Sequence, residues 1–376
     1  MDMKYTNENH KHFPRIRHAV RSLLVLPLCL VLAGVGSHPS ALDFKSETEL
    51  SDHVRGFVTQ MIDDAGDDVH SLRKFFVLDE KIPAPAPNPE KYGTSSDPKT
   101  LQWLLDDAAE ILGGQDTLFS TDIELFPKSK VTYYLDKSIF AVTWKQATAN
   151  SAYTISEIKI SDPSQFRRYV AENDINSTKL YTPTTMSEMV NAVVGASADH
   201  YRGRRRGVIV YDGEVIRVDT PHNIDNCYID KNGDLLFTYQ GDLTGMEDAQ
   251  AFVDENDVRF SIAFGPILID NGVRCEPATY TLGEVNDHYA RAALCQLDEL
   301  HYLVVVANAD EGNWHSPTIH EFTEVIETFG CQKAYALDGG NTGSIIMNGK
   351  LINRLPFKSQ RAQGDLIYFS TAIPNN

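Results

Sequence analysis

Apolar residues follow two different periods along the chain. In residues 47–63 and 98–112 they recur every three or four positions, which predicts two amphipathic helices. From residue 131 onward the apolar residues form short runs rich in β-branched and aromatic side chains, which is typical of strands. The runs that predict strands lie at 131–135, 139–144, 154–160, 207–211, 215–218, 301–307 and 331–337.

Turn signals join these strands into hairpins. Asn232-Gly233 and Asn348-Gly349 are two-residue pairs that readily take the positive φ of tight hairpin turns. Further helices are predicted to begin at Asp162-Pro163, at Thr184 and at Ser316-Pro317-Thr318. Many hairpins with a few interspersed helices favour an α+β fold built on a mixed, largely antiparallel sheet.

The beginning of the chain has a different character. A basic flank at residues 1–21 precedes the uncharged apolar run 22–35, which predicts a signal peptide or a membrane anchor over residues 1–38. The run is short for a spanning helix, which favours the signal peptide, but residues 36–41 lack a clean Ala-x-Ala cleavage site. Either alternative places the protein outside the cell or at its surface, attached to the membrane if the segment is not cleaved.

The rest of the chain divides at the change of pattern. Residues 39–128 are predicted to form a small helical accessory region with a proline-rich linker at 82–89, which must be extended. Residues 129–376 then form the domain that carries the candidate chemistry.

Charge and cysteine content exclude several classes of function. The net charge of −18 argues against nucleic-acid binding, because a phosphate backbone attracts basic proteins. Beyond the apolar run the cysteines are Cys227, Cys275, Cys295 and Cys331, whose spacing contains no Cys-x-x-Cys metal pattern. Three disulfide pairings are open to them, and structural or free thiols are expected. The sequence therefore predicts neither a metal site nor a cofactor.

The strongest candidate for chemistry is the loop Asp338-Gly339-Gly340. It follows the predicted strand 331–337, so its carboxylate lies at a strand end, a position suited to acid–base work. Adjacent glycines also let the backbone approach a ligand closely. An ordinary tight turn explains the same residues equally well, so the loop alone leaves both alternatives open.

A set of separated motifs resembles the phosphodiester glycosidase family. Leu337 to Thr342, followed by Asn348-Gly349 and Asn353, is similar to the family's signature loop Leu-Asp-Gly-Gly-Gly-Ser, although Asn341 and Thr342 depart from it. The other motifs follow the family's order, with Ala292 and residues 308–310 as further departures. They are Asp199 with Tyr201, Phe264-Gly265-Pro266, Arg291, and Arg361 with Asp365.

The resemblance implies a hydrolase that cleaves a sugar-1-phosphodiester linkage in a glycan or wall polymer and resembles an alpha-N-acetylglucosaminidase. It implies Asp338, Asp199 and Arg291 as catalytic residues. The residues that it implies for substrate binding are Gly339, Gly340, Asn341, Thr342, Tyr201 and Arg361. Arg204, in the arginine-rich turn 202–206, is a further candidate for phosphate binding, with a solvated basic turn as the alternative. The alternative is a non-catalytic cell-surface protein that binds a glycan on the same fold.

These assignments require distant segments to converge. Arg291, Arg361 and Asp199 are expected to line one cleft with the Asp338 loop, where guanidinium groups lower the pKa of neighbouring carboxyls. Two local alternatives stay open. Arg291 could pair with Glu284 or Asp287, and Arg361 could form a surface pair with Asp365.

Overall fold

The computed structural model describes residues 83–112, 117–121, 130–199, 201–203, 205–219, 224–275, 287–308, 310, 312, 314–357 and 359–374. All of them belong to the compact unit Arg55–Asn376. The predicted signal or anchor, the predicted helix at 47–63 and Arg204 lie outside the described residues. Within the described ranges, no helix combines the length and the apolar character that crossing a bilayer requires.

The described residues form four α-helices and nineteen strands. The helices are α1 Pro98–Leu112, α2 Pro183–Met189, α3 Met246–Glu255 and α4 Ile319–Glu327. The strands are β1 Tyr92–Ser95, β2 Val131–Leu135, β3 Ile139–Ala147, β4 Ala152–Ile160, β5 Phe166–Val170, β6 Val194–Ala196, β7 Gly207–Tyr211, β8 Glu214–Asp219, β9 Asn226–Asp230, β10 Leu235–Thr238, β11 Val258–Ile262, β12 Ile267–Asp270, β13 Val273–Arg274, β14 Ala292–Asp298, β15 His301–Ala307, β16 Lys333–Leu337, β17 Ile345–Met347, β18 Lys350–Leu351 and β19 Asp365–Phe369.

The strands assemble into one large sheet and three smaller ones. The large sheet has nine strands in the order β1-β2-β3-β4-β15-β14-β16-β12-β13. The smaller sheets have the orders β18-β17-β6-β19-β5, β10-β9-β11 and β7-β8. Every pairing among the described strands is antiparallel. The predicted α+β class with largely antiparallel sheets is thereby confirmed.

The large sheet is covered on both faces, and its central strands show why. In β15 every residue is buried, but the side chains alternate between two apolar clusters. Val304 and Val306 pack against residues of the smaller sheets. Leu303 and Val305 lie in the cluster that contains the apolar stripes of α1 and α4. A run of continuous apolar residues is therefore what a strand covered on both faces requires.

Local sequence signals account for the ends of these elements. The Thr318 hydroxyl accepts a hydrogen bond from the Glu321 amide at 3.2 Å, and the Glu321 carboxylate returns to the Thr318 amide at 2.8 Å, so α4 begins with a capping box. Asn348 and Gly349 have φ of 51° and 64°, the positive values that the hairpin between β17 and β18 needs.

Part of the predicted accessory region joins the large sheet. β1 pairs with β2, and Leu101, Leu104 and Ala108 of α1 are buried in the same apolar cluster as strands β3 and β15. Residues 92–112 therefore share the core of the domain that follows. The domain limits at residues 38 and 128 stay predictions.

Candidate functional site

A cavity of about 440 Å³ opens where β16 ends and β14 begins. Its lining includes the predicted residues Arg291, Asp338, Gly339, Gly340, Asn341 and Arg361. The strand register explains part of this convergence. Ala292 of β14 faces Leu337 of the neighbouring antiparallel strand β16, so the adjacent residues Arg291 and Asp338 leave the sheet side by side.

The Asp338 loop is held by its own backbone. The Asp338 amide donates to the Ala198 carbonyl at 3.1 Å, and the Gly340 amide donates to the Ala290 carbonyl at 2.7 Å. A Cβ on Gly339 would lie 2.4 Å from the Ala290 oxygen, closer than a carbon can approach. Gly340 has a φ of 59°, in the left-handed region. The paired glycines are thus required by the close approach of the loop to the end of β14.

The far end of the loop is anchored below the cavity. Thr342 is fully buried, and its hydroxyl and its amide both donate to the Gly339 carbonyl. The Asn353 side chain accepts from the Ile345 amide and donates to the Gly343 carbonyl, both at 2.8 Å. Thr342 is not among the residues that line the cavity. Its position favours support of the loop, and its predicted contact with substrate stays a prediction.

Asn341 links the loop to the segment that carries Arg361. The Asn341 side-chain oxygen accepts a hydrogen bond from the Phe357 amide at 3.1 Å. The Asn341 carbonyl accepts from the Arg361 amide at 3.2 Å. This asparagine stands where the family's loop has a glycine, and here its side chain joins the two walls of the cavity.

Two arginines approach the cavity from different elements. Arg291 lies just before β14, partly exposed, and its guanidinium donates to the Asp287 carbonyl at 2.6 Å. The guanidinium also lies over the Tyr289 ring, 5.4 Å from the ring centroid. Arg361 is exposed and also lines the cavity. Arg291 therefore bonds to the backbone carbonyl of Asp287, whereas the sequence had left open a pair with the Asp287 carboxylate.

Asp199 does not line the cavity, contrary to the expected convergence. Its side chain is fully buried and forms an ion pair with Arg168 at 3.0 Å. Its oxygens also accept from the amides of Tyr201 and Ala263, each at 2.8 Å. Both oxygens are thus engaged within the protein. This arrangement favours a structural role for Asp199, and its assignment to catalysis stays a prediction.

Tyr201 is also buried away from the cavity lining. It is 4% exposed and packs in a small apolar cluster with Ile209, Ile224 and Ala263. Its hydroxyl donates to the Ile175 carbonyl at 3.2 Å. Contact with substrate at this residue therefore stays a prediction without a geometric contact to support it.

Asp365 pairs with Arg168 and not with Arg361. The Arg168 guanidinium lies 2.7 Å from the Asp365 carboxylate, and both side chains are buried. One guanidinium therefore serves two buried carboxylates, Asp199 and Asp365. Burial raises the pKa of Asp365 well above its usual range, and Asp199 adds to this although Arg168 opposes it. The expected lowering of carboxyl pKa values does not hold for this residue.

Asp365 gives the protein a specific pH dependence of stability. A raised pKa means that the folded state binds the proton more tightly than the unfolded state. The stabilisation is fully present below the ordinary value near 3.8 and is lost as pH rises through the raised pKa. Urea unfolding at stepwise pH should show a fall in stability, relative to Asp365→Asn, with a slope of up to about 1.4 kcal/mol per pH unit.

The control for this measurement is Glu110→Gln, because Glu110 is exposed on α1. That variant should follow the wild-type pH profile. A wild-type profile parallel to that of Asp365→Asn across the same range would contradict the raised pKa.

Two cavity residues were missed in the sequence. His288 and Tyr289 line the cavity, immediately before Arg291. His288 Nδ1 lies 2.8 Å from the Ser316 carbonyl, which can only accept, so Nδ1 carries the hydrogen. In the neutral ring Nε2 is then the nitrogen able to accept a proton. The only sequence signal was a polar, aromatic and cationic run ahead of a strand.

Comparison with known proteins supports the resemblance. Residues 187–370 match the sequence profile of the phosphodiester glycosidase family. No curated protein matches the chain. Among solved structures, a hypothetical protein from Synechocystis is 14% identical, with a TM-score of 0.45 and 62% of each chain covered. The auto-inhibited catalytic domain of zebrafish N-acetylglucosamine-1-phosphodiester alpha-N-acetylglucosaminidase is 14% identical, with a TM-score of 0.49, 62% of this chain and 84% of that chain covered.

The matched stretch contains the whole Asp338 loop together with Arg291 and Arg361. It excludes Arg168, the buried partner of Asp199 and Asp365. A glycosidase-type function is thus supported at the level of the family. The match over residues 187–370 confirms the predicted resemblance to the phosphodiester glycosidase family.

Proposed function

We propose that the protein is a hydrolase that cleaves a sugar-1-phosphodiester linkage and releases the sugar. One observation carries the proposal, namely the cavity that brings Asp338 together with the cations Arg291 and Arg361. A phosphodiester is a permanent anion, and guanidinium groups bind phosphate oxygens in a bidentate manner. The basic flank and apolar run at residues 1–35 support export of the enzyme, where a glycan or wall polymer is the substrate.

The chemistry of the leaving group suggests how the charges are used. Cleavage at the sugar carbon releases a phosphate monoester, whose second pKa is about 6, so it leaves as a weak base. Arginines that neutralise the charge of the phosphate then replace much of the contribution that a general acid makes when the leaving group is an alcohol. This leaves a carboxylate for the other half of the reaction, which is to activate water or stabilise the cationic sugar ring.

Asp338 is the one carboxylate among the described residues that line the cavity. We assign it as the base or as the group that stabilises the ring. His288 is the second candidate for proton transfer, because its Nε2 is able to accept a proton while Nδ1 donates to Ser316. Arg291 and Arg361 hold the phosphate.

The alternative is a glycan-binding protein without turnover. The observation that favours it is the burial of Asp199, which leaves the cavity with a single carboxylate where glycosidases commonly use a pair. Binding and turnover must therefore be measured separately.

The test is release of N-acetylglucosamine from a synthetic N-acetylglucosamine-1-phosphodiester, with the matching glycoside that lacks phosphate as the control substrate. We expect turnover of the phosphodiester and a drop of at least about tenfold in kcat/KM for Arg291→Met, because one phosphate contact is lost. Lys179→Met removes an exposed cation that does not line the cavity and should behave as wild type.

Three outcomes separate the candidates. Equal turnover of both substrates would contradict the role of phosphate. Binding without turnover across a panel of sugar phosphodiesters would favour the binding protein. Neither binding nor turnover would overturn both.

A further inference from the structure

Another cavity lies at the β1 edge of the large sheet. It measures about 420 Å³ and lies between α1 and the first two strands, and we call it the edge groove. Its lining includes Tyr92, Trp103, Asp107, Tyr133 and Lys137. The edge groove contains none of the residues assigned to the proposed reaction.

Trp103 is exposed although the helix that carries it is well packed. Leu101, Leu104 and Ala108 of α1 are buried, whereas Trp103 is 57% exposed. Asp107 and Ile111 follow it at intervals of four residues, so the three side chains form one row along the helix face above the edge groove. Trp103 therefore presents a large aromatic surface to solvent beside the edge groove.

The opposite wall presents a second aromatic ring in a fixed position. A Cβ on Gly93 would lie 2.1 Å from Cζ of Tyr133, so the Tyr133 ring rests directly on the Gly93 backbone. Gly93 and Tyr133 are cross-strand partners in the β1–β2 pair. Because only glycine leaves room for the ring there, the sequence sets the position of Tyr133 before any ligand arrives.

The charged groups of the edge groove carry a small net negative charge. Glu90, Lys91, Asp107 and Lys137 line it, and none of their side chains has a hydrogen bond or ion pair among the described residues. The fifth charged residue, Asp136, is buried, with both oxygens occupied by hydroxyl and amide donors. The accessible carboxylates and ammonium groups offer both acceptors and donors, and the absence of a net positive charge favours a neutral ligand over a phosphate.

We propose that the edge groove binds a neutral pyranose unit of a glycan. The apolar C–H face of the sugar packs on Trp103 and Tyr133, and its hydroxyls bond to Asp107 and Lys137. The identity of the ligand as a glycan rests on the proposed function, whereas its binding here requires no hydrolysis.

The position of the edge groove indicates which part of the substrate it binds. β1 and β2 are the first two strands of the sheet, and β14 and β16 are the sixth and seventh. At about 4.8 Å per strand, the edge groove lies roughly 20–25 Å from the catalytic cavity. It therefore binds a part of the polymer several sugars away from the cleaved bond, and raises the affinity for long substrates without altering the reaction itself.

The test measures binding of neutral oligosaccharides that contain no phosphate, by calorimetry and by tryptophan fluorescence. The probes are oligomers of N-acetylglucosamine, of glucose and of mannose. We expect binding of at least one series, weakened about tenfold or more in Trp103→Ala and largely retained in Trp103→Phe. Leu180→Ala is the control, because Leu180 is exposed to a similar degree, 52%, and does not line the edge groove.

A second readout is turnover of the small phosphodiester, which Trp103→Ala should leave unchanged because the edge groove lies far from Asp338. Failure of every neutral oligosaccharide to bind would overturn the proposal even if the phosphodiester is hydrolysed. Unchanged oligosaccharide binding in Trp103→Ala would do the same. Dissociation of an oligomer by Trp103→Ala, without sugar binding, would assign the edge groove to a contact between copies of the chain.

Discussion

Asp338→Asn is expected to lower kcat for a sugar-1-phosphodiester by about 10²–10⁴-fold, the range typical of a lost acid–base group. The amide has the size of the carboxylate, but it neither accepts the proton of water nor stabilises a cationic sugar ring. KM should change little, because the phosphate contacts come from Arg291 and Arg361. Steady-state release of N-acetylglucosamine measures both constants.

The structure offers a matched control for the charge. Asp287 is exposed four residues before Arg291, and only its backbone carbonyl accepts the hydrogen bond from the arginine. Asp287→Asn therefore removes a nearby charge without touching that hydrogen bond. We expect it to retain most of the activity. Backbone hydrogen bonds hold the Asp338 loop, so Asp338→Asn should remain folded, which circular dichroism checks. Wild-type turnover in Asp338→Asn would exclude Asp338 as the catalytic carboxylate.

The sequence predicted the elements that local signals determine. A continuous apolar run placed β15, and turn residues placed the hairpin over Asn348-Gly349. The hydroxyl of Thr318 set the beginning of α4. The proximity of Arg291 and Asp338 was also predictable, because each residue adjoins a predicted strand and both belong to motifs of the same family. Antiparallel pairing of β14 with β16 then places both residues at the same end of the strand pair.

The buried ion cluster could not be predicted in this way. Arg167 and Arg168 are adjacent in β5, where alternation predicts that at least one of them is exposed, yet they are only 2% and 7% exposed. Their burial depends on β19 and on other segments that pack against β5 from distant parts of the sequence. Asp199 was therefore assigned to the cavity by motif alone, although its cation lies outside every motif.

The strand β1 was missed for a related reason. Its residues Tyr92–Ser95 follow a proline-rich segment and contain glycine, so they carry little strand signal of their own. The pairing partner β2 lies 36 or more residues further along the chain, where the register joins Ser95 to Val131. Cross-strand contact with Tyr133, which is invisible in a linear pattern, is what fixes this segment to the sheet.

Arg168→Met is expected to lower the free energy of unfolding by about 3–5 kcal/mol, the cost typical of removing one partner from a buried ion cluster. Met matches much of the side-chain volume, so the loss comes from charge. The variant leaves Asp199 and Asp365 buried without the guanidinium that lies 3.0 Å and 2.7 Å from them. Urea unfolding measures the difference. Arg168→Lys should recover only part of it, because an ammonium lacks the second guanidinium nitrogen, which donates to the Ser261 carbonyl while the first contacts both carboxylates.

The same substitution tests whether the cluster positions the catalytic loop. Asp199 adjoins Ala198, whose carbonyl accepts the Asp338 amide, so displacement of Asp199 should shift Asp338 and lower kcat more than it raises KM. Combining Arg168→Met with Asp199→Asn and Asp365→Asn removes all three charges and should recover much of the stability. A triple variant as unstable as Arg168→Met alone would show that packing, and not the unpaired carboxylates, causes the loss. Full activity in the folded Arg168→Met protein would show that the buried ion cluster does not position the Asp338 loop.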